Sequence, residues 1–388
     1  MLGLALQGGG AKGAFQAGAI KALFEEGYRF DGVVGSSIGA LNGALIAQGD
    51  FEKTYELWYN MEISKLFDID DRIAENISNL NIDAETIKYV YRKIRQVISN
   101  RGLDRQRGRE LIMEYLDETK LRSSKTDFGL VIIEKGEKYL PHKLFKEDIP
   151  EGLLIDYIIA SGNLPIFKDL TVDGKKIYDG GFYDNLPINM LIDRGYTEII
   201  AIRLGDSIAP VKKVVDNSVN IKYIDPSEKP GSLLNFTNKS LRRAIVMGYL
   251  DTQKILKGYI GGKYFIYPVS DGDFYKFLYN LPLSFYNECA IILGISAFDN
   301  IYSAVASVAG KVKELMKLET LSDKECLIRY IEAFAEYLKV ERLKVYKLKE
   351  FLDTVIKAYA KNQDTDYKKD RRLVKLKSVL DTLVKYYK

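Results

Sequence analysis

Gly35-Ser36-Ser37-Ile38-Gly39 lies between an apolar run, Val33-Val34, and a helix-compatible run from Ala40 to Ala47. No other stretch constrains the fold as tightly. The two glycines allow the backbone to turn sharply, and the middle serine, Ser37, then stands clear of the strand end as a candidate nucleophile. Such a turn needs a strand before it and a helix after it. The N-terminal part of the chain is therefore expected to consist of β-α units.

The neighbouring sequence supplies them. Leu2 to Leu6 reads as a short buried strand and runs into Gly8-Gly9-Gly10-Ala11-Lys12-Gly13. Ala14 to Glu26 has helical spacing (Phe15, Ile20, Leu23, Phe24) with a stop at Gly27. Residues 8–13 formally match G-x-G-x-x-G. In a dinucleotide fold, however, an acid ends the second strand, whereas here Asp31 precedes it and the strand ends in Gly35-Ser36-Ser37. No Gly-Lys-Ser/Thr makes the segment a phosphate loop either. Glycines at a helix start can instead leave free backbone N–H groups that hold an oxyanion.

Asp50 is placed to cap a helix from Glu52 to Trp58, and Asp83 a second one bearing Ile87, Tyr91, Ile94 and Ile98. A third helix is expected from about Gly108 to Lys120. Phe128 to Glu134 and Tyr139 to Phe145 read as strands joined across Lys135-Gly136-Glu137. Leu153 to Ala160 is an apolar helix entering Ser161-Gly162-Asn163. Leu170 to Ile177 forms a hairpin turned at Asp173-Gly174, which delivers Asp179-Gly180-Gly181. A helix from Pro187 to Arg194, a strand from Glu198 to Leu204, a long helix from Asn235 to Lys257 and a strand from Tyr264 to Val269 follow. This alternation predicts an α/β domain over residues 1–271, with a doubly wound, mostly parallel sheet flanked by helices. From about residue 272 only helical spacing remains. Ala290 to Gly310 reads as a buried helical hairpin, and Leu373, Leu376, Leu380 and Leu383 form a three-four seam. Residues 272–388 are thus expected to be an all-α C-terminal domain.

The charge is unevenly placed. The chain carries +4 overall, but residues 311–388 hold 20 Lys+Arg against 13 Asp+Glu. A basic end, with the run from Lys368 to Lys377, suits an anionic surface, and with no recognised module beside it nucleic acid is not the expected partner. Two cysteines, Cys289 and Cys326, without C-x-x-C spacing suggest neither a disulfide framework nor a metal site, which fits a cytoplasmic setting. No apolar run reaches the length of a membrane span.

Histidine decides the chemistry, because the chain has one, His142, with no motif around it. A serine hydroxyl attacks a carbonyl only if a neighbouring base takes its proton. The alternative to histidine is a carboxylate acting directly on Ser37. Asp179 leads, because the glycines after it permit close approach, and Asp184 is its rival.

Gly8 to Gly13, Gly35 to Gly39 and Asp179-Gly180-Gly181 together resemble, in order and spacing, the three motifs of the patatin-like phospholipases. The resemblance covers about residues 1–270 and implies a sheet of patatin type. It also implies a dyad in which Ser37 attacks an ester carbonyl and Asp179 accepts its proton. Gly8, Gly9, Gly10, Ala11 and Lys12 would surround the oxyanion, while Gly13, Gly35, Gly39, Gly180 and Gly181 would be motif glycines. No metal or cofactor is implied. The implied substrate is a phospholipid or another fatty-acyl ester, met by peripheral membrane contact, and a homo-oligomer is compatible with this. The other expectation is a lipid- or partner-binding protein with a weak or idle esterase site.

Overall fold

A computed structural model describes residues 1–61, 106–165, 167–206, 209–361 and 371–387. The chain forms two compact units, Met1–Gln253 and Lys254–Lys388. The helix expected after Asp83 and the start of the basic run at Lys368 lie outside the described residues.

The first unit is built on one sheet of eight strands. They are β1 (Leu2–Leu6), β2 (Gly32–Gly35), β3 (Asp127–Lys135), β4 (Tyr139–Phe145), β5 (Leu170–Val172), β6 (Lys175–Asp179), β7 (Glu198–Ile202) and β8 (Asn220–Ile224). The order is β5-β6-β3-β2-β1-β7-β8, with β4 also pairing β3. β1, β2, β3, β7 and β8 run parallel, while β4, β5 and β6 add antiparallel pairs. The helices of this unit are α1 (Gly13–Glu25), α2 (Ile38–Ala47), α3 (Phe51–Tyr59), α4 (Gln106–Tyr115), α5 (Glu118–Ser123), α6 (Leu154–Ser161) and α7 (Ile188–Asp193). α8 (Asn238–Lys257) follows.

β1 and β2 are apolar along their length because helices cover both faces, the usual reason that parallel strands lack alternation. Ala5, Val34 and Val131 pack with Leu186, Met190 and Leu191 around α7. On the other face, Gly43 of α2 lies against Val33, Phe128 and Leu6. α1 and α8 cross at glycines. A Cβ on Gly18 would lie 1.9 Å from Ile245 O, and one on Gly248 would lie 2.0 Å from Phe15 O. Only hydrogen fits at that crossing.

Several details differ from the sequence reading. Asp50 precedes α3 but gives it no side-chain cap, because its carboxylate is taken by Lys120 and Gln48. The single helix expected from Gly108 to Lys120 is broken into α4 and α5, the second capped by Asp117, whose Oδ1 accepts from Lys120 N at 3.0 Å. β8 was not expected, since as an edge strand it carries only Ile224 fully inside. The strand expected from Tyr264 to Val269 shrinks to β9 (Phe265–Ile266).

β9 belongs to the second unit, where it pairs in parallel with β10 (Val345–Tyr346), so this region is not purely helical. Six helices make up the rest among the described residues. They are α9 (Asp271–Tyr279), α10 (Leu283–Leu293), α11 (Ile301–Met316), α12 (Asp323–Tyr337), α13 (Leu348–Lys361) and α14 (Arg371–Tyr386). α10 and α11 form the hairpin expected between Ala290 and Gly310. Leu376, Leu380 and Leu383 face its core, as their three-four spacing requires. Glu332 is buried but satisfied, accepting from the amides of Gly262 at 2.9 Å and Tyr264 at 2.8 Å. No helix among the described residues is long and apolar enough to cross a membrane.

Candidate active site

β3 explains how two residues far apart in sequence come together. Gly35 at the end of β2 is opposite Leu130, and Asp179 at the end of β6 is opposite Ile132. β4 occupies the other edge of β3, opposite both Leu130 and Ile132, so β2 and β6 share one edge. One runs parallel to β3 and the other antiparallel, so their C-termini meet head to head. The gap is two residues of β3, about 7 Å. The hairpin that aims β6 turns on Asp173 (φ 50°) and Gly174 (φ 72°), the two left-handed residues of a tight primed turn.

Ser37 follows β2 with φ 55° and ψ −127°, one of four non-glycine residues at positive φ among those described. Such a conformation costs on the order of 1–3 kcal/mol and persists only where the surroundings enforce it. Here the enforcement is visible. A Cβ on Gly35 would lie 2.3 Å from Gly39 C, and one on Gly39 would lie 2.3 Å from Leu6 O. Ser37 N donates to Ser161 Oγ at 3.0 Å, and Ser161 Oγ donates to Val131 O at 2.8 Å. Ser36 Oγ donates to Asp184 O at 2.6 Å on the opposite side.

Asp179 is 2% exposed and its Oδ1 accepts from Gly181 N at 2.7 Å. Its own N–H donates to Asn163 O at 2.9 Å. Gly180 follows because a Cβ there would lie 2.0 Å from Val131 O. Asp184 has a different place. Its Oδ1 accepts from Leu186 N and Lys212 N, both at 3.3 Å, while Oδ2 is buried without a partner among the described residues. Burial pushes its carboxyl above the usual range, against the pull of those two amides. Asp179 lines a cavity with Ser37; Asp184 is not part of that lining. His142 on β4 is absent from it too, with Nε2 3.1 Å from Oε2 of Glu134 on β3.

The glycine-rich segment lines the same cavity, ≈ 740 Å³ in empty volume, through Gly8, Gly9, Gly10 and Lys12. Gly8 N donates to Asn185 O at 3.0 Å, Ala11 N to Leu233 O at 2.9 Å and Lys12 N to Gly9 O at 3.2 Å. Gly9 and Gly10 are the two amides of this stretch with no acceptor among the described residues. Gly10 needs to be glycine, with φ 54° and Leu233 O 2.3 Å from where a Cβ would stand. The amide of Ile38, first in α2 and next to Ser37, likewise has no acceptor among the described residues. Together these donors can serve a negative oxygen beside Ser37.

An apolar cavity of ≈ 980 Å³ opens from Ser37 and Gly10, with Leu41, Trp58, Ile158 and Phe236 in its walls. Its floor is tied to the glycine-rich segment by a buried polar chain that the sequence reading missed. Trp58 Nε1 donates to Asn42 Oδ1 at 2.8 Å, Asn42 Nδ2 to Gln16 Oε1 at 2.8 Å, and Gln16 Nε2 to Gln7 O at 2.7 Å. The available signal was a lone amide among the apolar and small residues of α2 and of the first two turns of α1. Asn185, also missed, clasps Gly8 by donating from Nδ2 to its carbonyl at 3.1 Å.

Residues 4–192 match the model of the family described as patatin-like phospholipase. Over 206 residues the chain is 28% identical to lysophospholipase NTE1 of Mycosarcoma maydis, an alignment covering 53% of this chain and 10% of that protein. Over 216 residues it is 27% identical to patatin-like phospholipase domain-containing protein 7 of Rattus norvegicus, covering 53% and 14%. The chain thus spans a small fraction of the length of these relatives. Among solved structures it is similar to VipD from Legionella pneumophila, at 15% identity and a TM-score of 0.40 over 98% of this chain and 84% of that one. Residues 4–192 of this chain are thus similar to the patatin-like phospholipase family.

Proposed function

We propose that the first unit is a lipid acyl hydrolase that cleaves carboxylic esters of phospholipids or other fatty-acyl compounds. The observation that carries this reading is that Ser37, held at a strained turn, and Asp179 line one cavity that also presents unengaged amides. Ser37 Oγ attacks the ester carbonyl while Asp179 takes its proton. The carbonyl oxygen becomes an anion facing the amides of Gly9, Gly10 and Ile38, with Lys12 adding positive field. Collapse of the tetrahedral intermediate breaks the bond to the leaving alcohol, which receives the proton from Asp179. A water molecule, deprotonated by Asp179, then attacks the acyl-serine, and the fatty acid leaves with Ser37 restored. Each oxyanion donor contributes on the order of 3 kcal/mol to the transition state.

The fatty-acyl preference rests on the apolar cavity beside Ser37. Leu233 and Leu234, 40% and 44% exposed, line it, and Phe182, 51% exposed, lines the neighbouring one that holds Asp179. Exposed apolar side chains at the entrance suit a substrate taken from a lipid surface, so the protein would work by peripheral contact.

The test is labelling of the full chain with a fluorophosphonate probe, followed by mass identification of the modified residue and hydrolysis of a medium-chain p-nitrophenyl ester. Modification of Ser37, with activity lost in Ser37→Ala and in Asp179→Asn, is the expected result. Full activity in either variant overturns the dyad, whereas a wild type that neither takes the probe nor hydrolyses the ester favours a lipid-binding protein with an idle site.

A further inference from the structure

The second unit contains an apolar cavity that the reaction proposed for the first does not use. Its empty volume is ≈ 780 Å³, including the space at its mouth, and its walls are wholly hydrophobic or aromatic. Protein interiors normally leave few voids larger than a water molecule, since each unfilled space forfeits dispersion contacts. An apolar void also stays dry. Nothing in this one calls for water, because Tyr286 Oη donates to Leu278 O at 2.7 Å and Tyr330 Oη to Leu376 O at 2.8 Å.

The vacancy has a local cause. Val305, Val308, Ala309 and Val312 fall at i, i+3, i+4 and i+7 on α11, and all four line the cavity. Small side chains along the inward stripe of a helix leave a channel where leucine or phenylalanine would close the core.

The channel leads to a polar mouth. A second pocket shares Phe277, Leu281, Leu348 and Leu352 with the cavity and adds Asn280, Lys349, Tyr386 and Tyr387. The two carboxylates in contact with those tyrosines are engaged. Asp353 accepts from Tyr387 Oη at 2.9 Å, and Glu288 accepts from Tyr386 Oη at 2.6 Å and Lys385 Nζ at 2.7 Å. The Lys349 ammonium and the Asn280 amide have no partner among the described residues. An apolar space adjoining a pocket that carries an unpaired cation and a side-chain amide suits a molecule with a hydrocarbon tail and an anionic head.

We propose that the second unit is a binding site for a single-chain anionic amphiphile, a long-chain fatty acid. Its hydrocarbon tail lies along the valine stripe of α11, and its carboxylate meets Lys349 and Asn280 at the mouth. This site is separate from the cavity beside Ser37 and does not depend on any hydrolysis there. The same tail could arrive as a free acid or on a lysophospholipid. The uncompensated cation selects the free acid, because the zwitterionic head of lysophosphatidylcholine also brings a positive charge to Lys349.

Palmitic acid carrying a chain-terminal diazirine, irradiated with the full-length protein and mapped by mass spectrometry, is the direct test. Adducts on α11 or α9 are expected, besides any in the first unit; adducts confined to residues 1–253 overturn the proposal. In parallel, titration with cis-parinaric acid counts sites. Ala309→Phe, which fills the channel, should remove one site from the wild-type number. Lys349→Glu, an exposed change that leaves the core intact, should weaken that site roughly tenfold. Palmitate should displace the probe from it, and lysophosphatidylcholine should do so much less well. Wild-type titration of Lys349→Glu, or equal displacement by the two lipids, overturns the anionic head. An unchanged site count in a folded Ala309→Phe overturns the cavity itself. None of these readouts changes if Ser37 proves inert.

Discussion

The backbone amide of Ser37 donates to the hydroxyl of Ser161, 124 residues further along the chain, at 3.0 Å. Ser161 is fully buried at the end of α6 and passes its own proton to Val131 O. One hydroxyl thus fastens the strained turn to the strand on which β2 and β6 converge. Ser161→Ala leaves the Ser37 amide and a buried carbonyl without these partners. The expected cost is about 1–3 kcal/mol in denaturant unfolding. Ester hydrolysis should lose kcat with little change in KM, because the nucleophile and not the acyl cavity is loosened. An unchanged kcat would count against this positioning role.

Two aspartates five residues apart should behave in opposite ways. Asp179→Asn removes the proposed base and should abolish ester hydrolysis with a small effect on thermal stability. Asp184→Asn should leave hydrolysis largely intact and raise Tm in mildly alkaline buffer, where it removes a buried charge with an orphaned oxygen. The sign follows from burial, which holds the folded carboxyl above its usual range. Its stabilising share is complete only below the unfolded pKa and is lost as pH rises through the folded value. The Tm advantage of Asp184→Asn should therefore shrink as pH is lowered toward the ordinary carboxylate range, as thermal melts across pH would record.

Asn42→Leu tests the buried amide chain. It orphans Trp58 Nε1 and one amide oxygen of Gln16 in a site where neither can reach water. A loss on the order of 2–4 kcal/mol is expected for two such groups. Emission from Trp58, the one tryptophan of the chain, should shift with the loss of its hydrogen bond. Unfolding at the wild-type denaturant midpoint would refute the coupling.

Chain-length selectivity should follow the walls of the apolar cavity. Leu41→Trp places an indole in its wall beside Ser37. Long-chain p-nitrophenyl esters should then lose about tenfold or more in kcat/KM relative to the butyrate, since several buried methylenes forfeit roughly 0.8 kcal/mol each. An equal loss for short and long chains would place the acyl group elsewhere.

The two cysteines report on the second unit. Burial pushes the Cys289 thiol up to about 12 and that of Cys326 to about 11. In native protein both should resist a disulfide reagent at pH about 8, and both should react once the unit unfolds. Because the folded values are raised, this contribution to stability is complete below the unfolded pKa, near 9.0, and fades as pH climbs toward 11 and 12. Rapid labelling of either thiol under native conditions would contradict their burial.

Local signals were legible in the residue order alone. Gly35 and Gly39 mark a turn around Ser37, the apolar runs before and after it mark a strand and a helix, and a lone histidine points to a carboxylate base. Each of these signals is carried by residues close together in the chain, where spacing and φ preference act directly. Which residues face one another was set by the folded chain. That Asp179 and not Asp184 shares a cavity with Ser37 follows from the register of β6 on β3. That Gly8, Ala11 and Lys12 spend their amides on Asn185, Leu233 and Gly9 follows, in the first two cases, from loops 177 and 222 residues apart. The Gly18–Gly248 crossing, the Trp58–Asn42–Gln16 chain and the valine-lined channel of α11 are of the same kind. Hydrogen-bond partners and packing surfaces are fixed by contacts between distant segments, and no local periodicity encodes which segments those are.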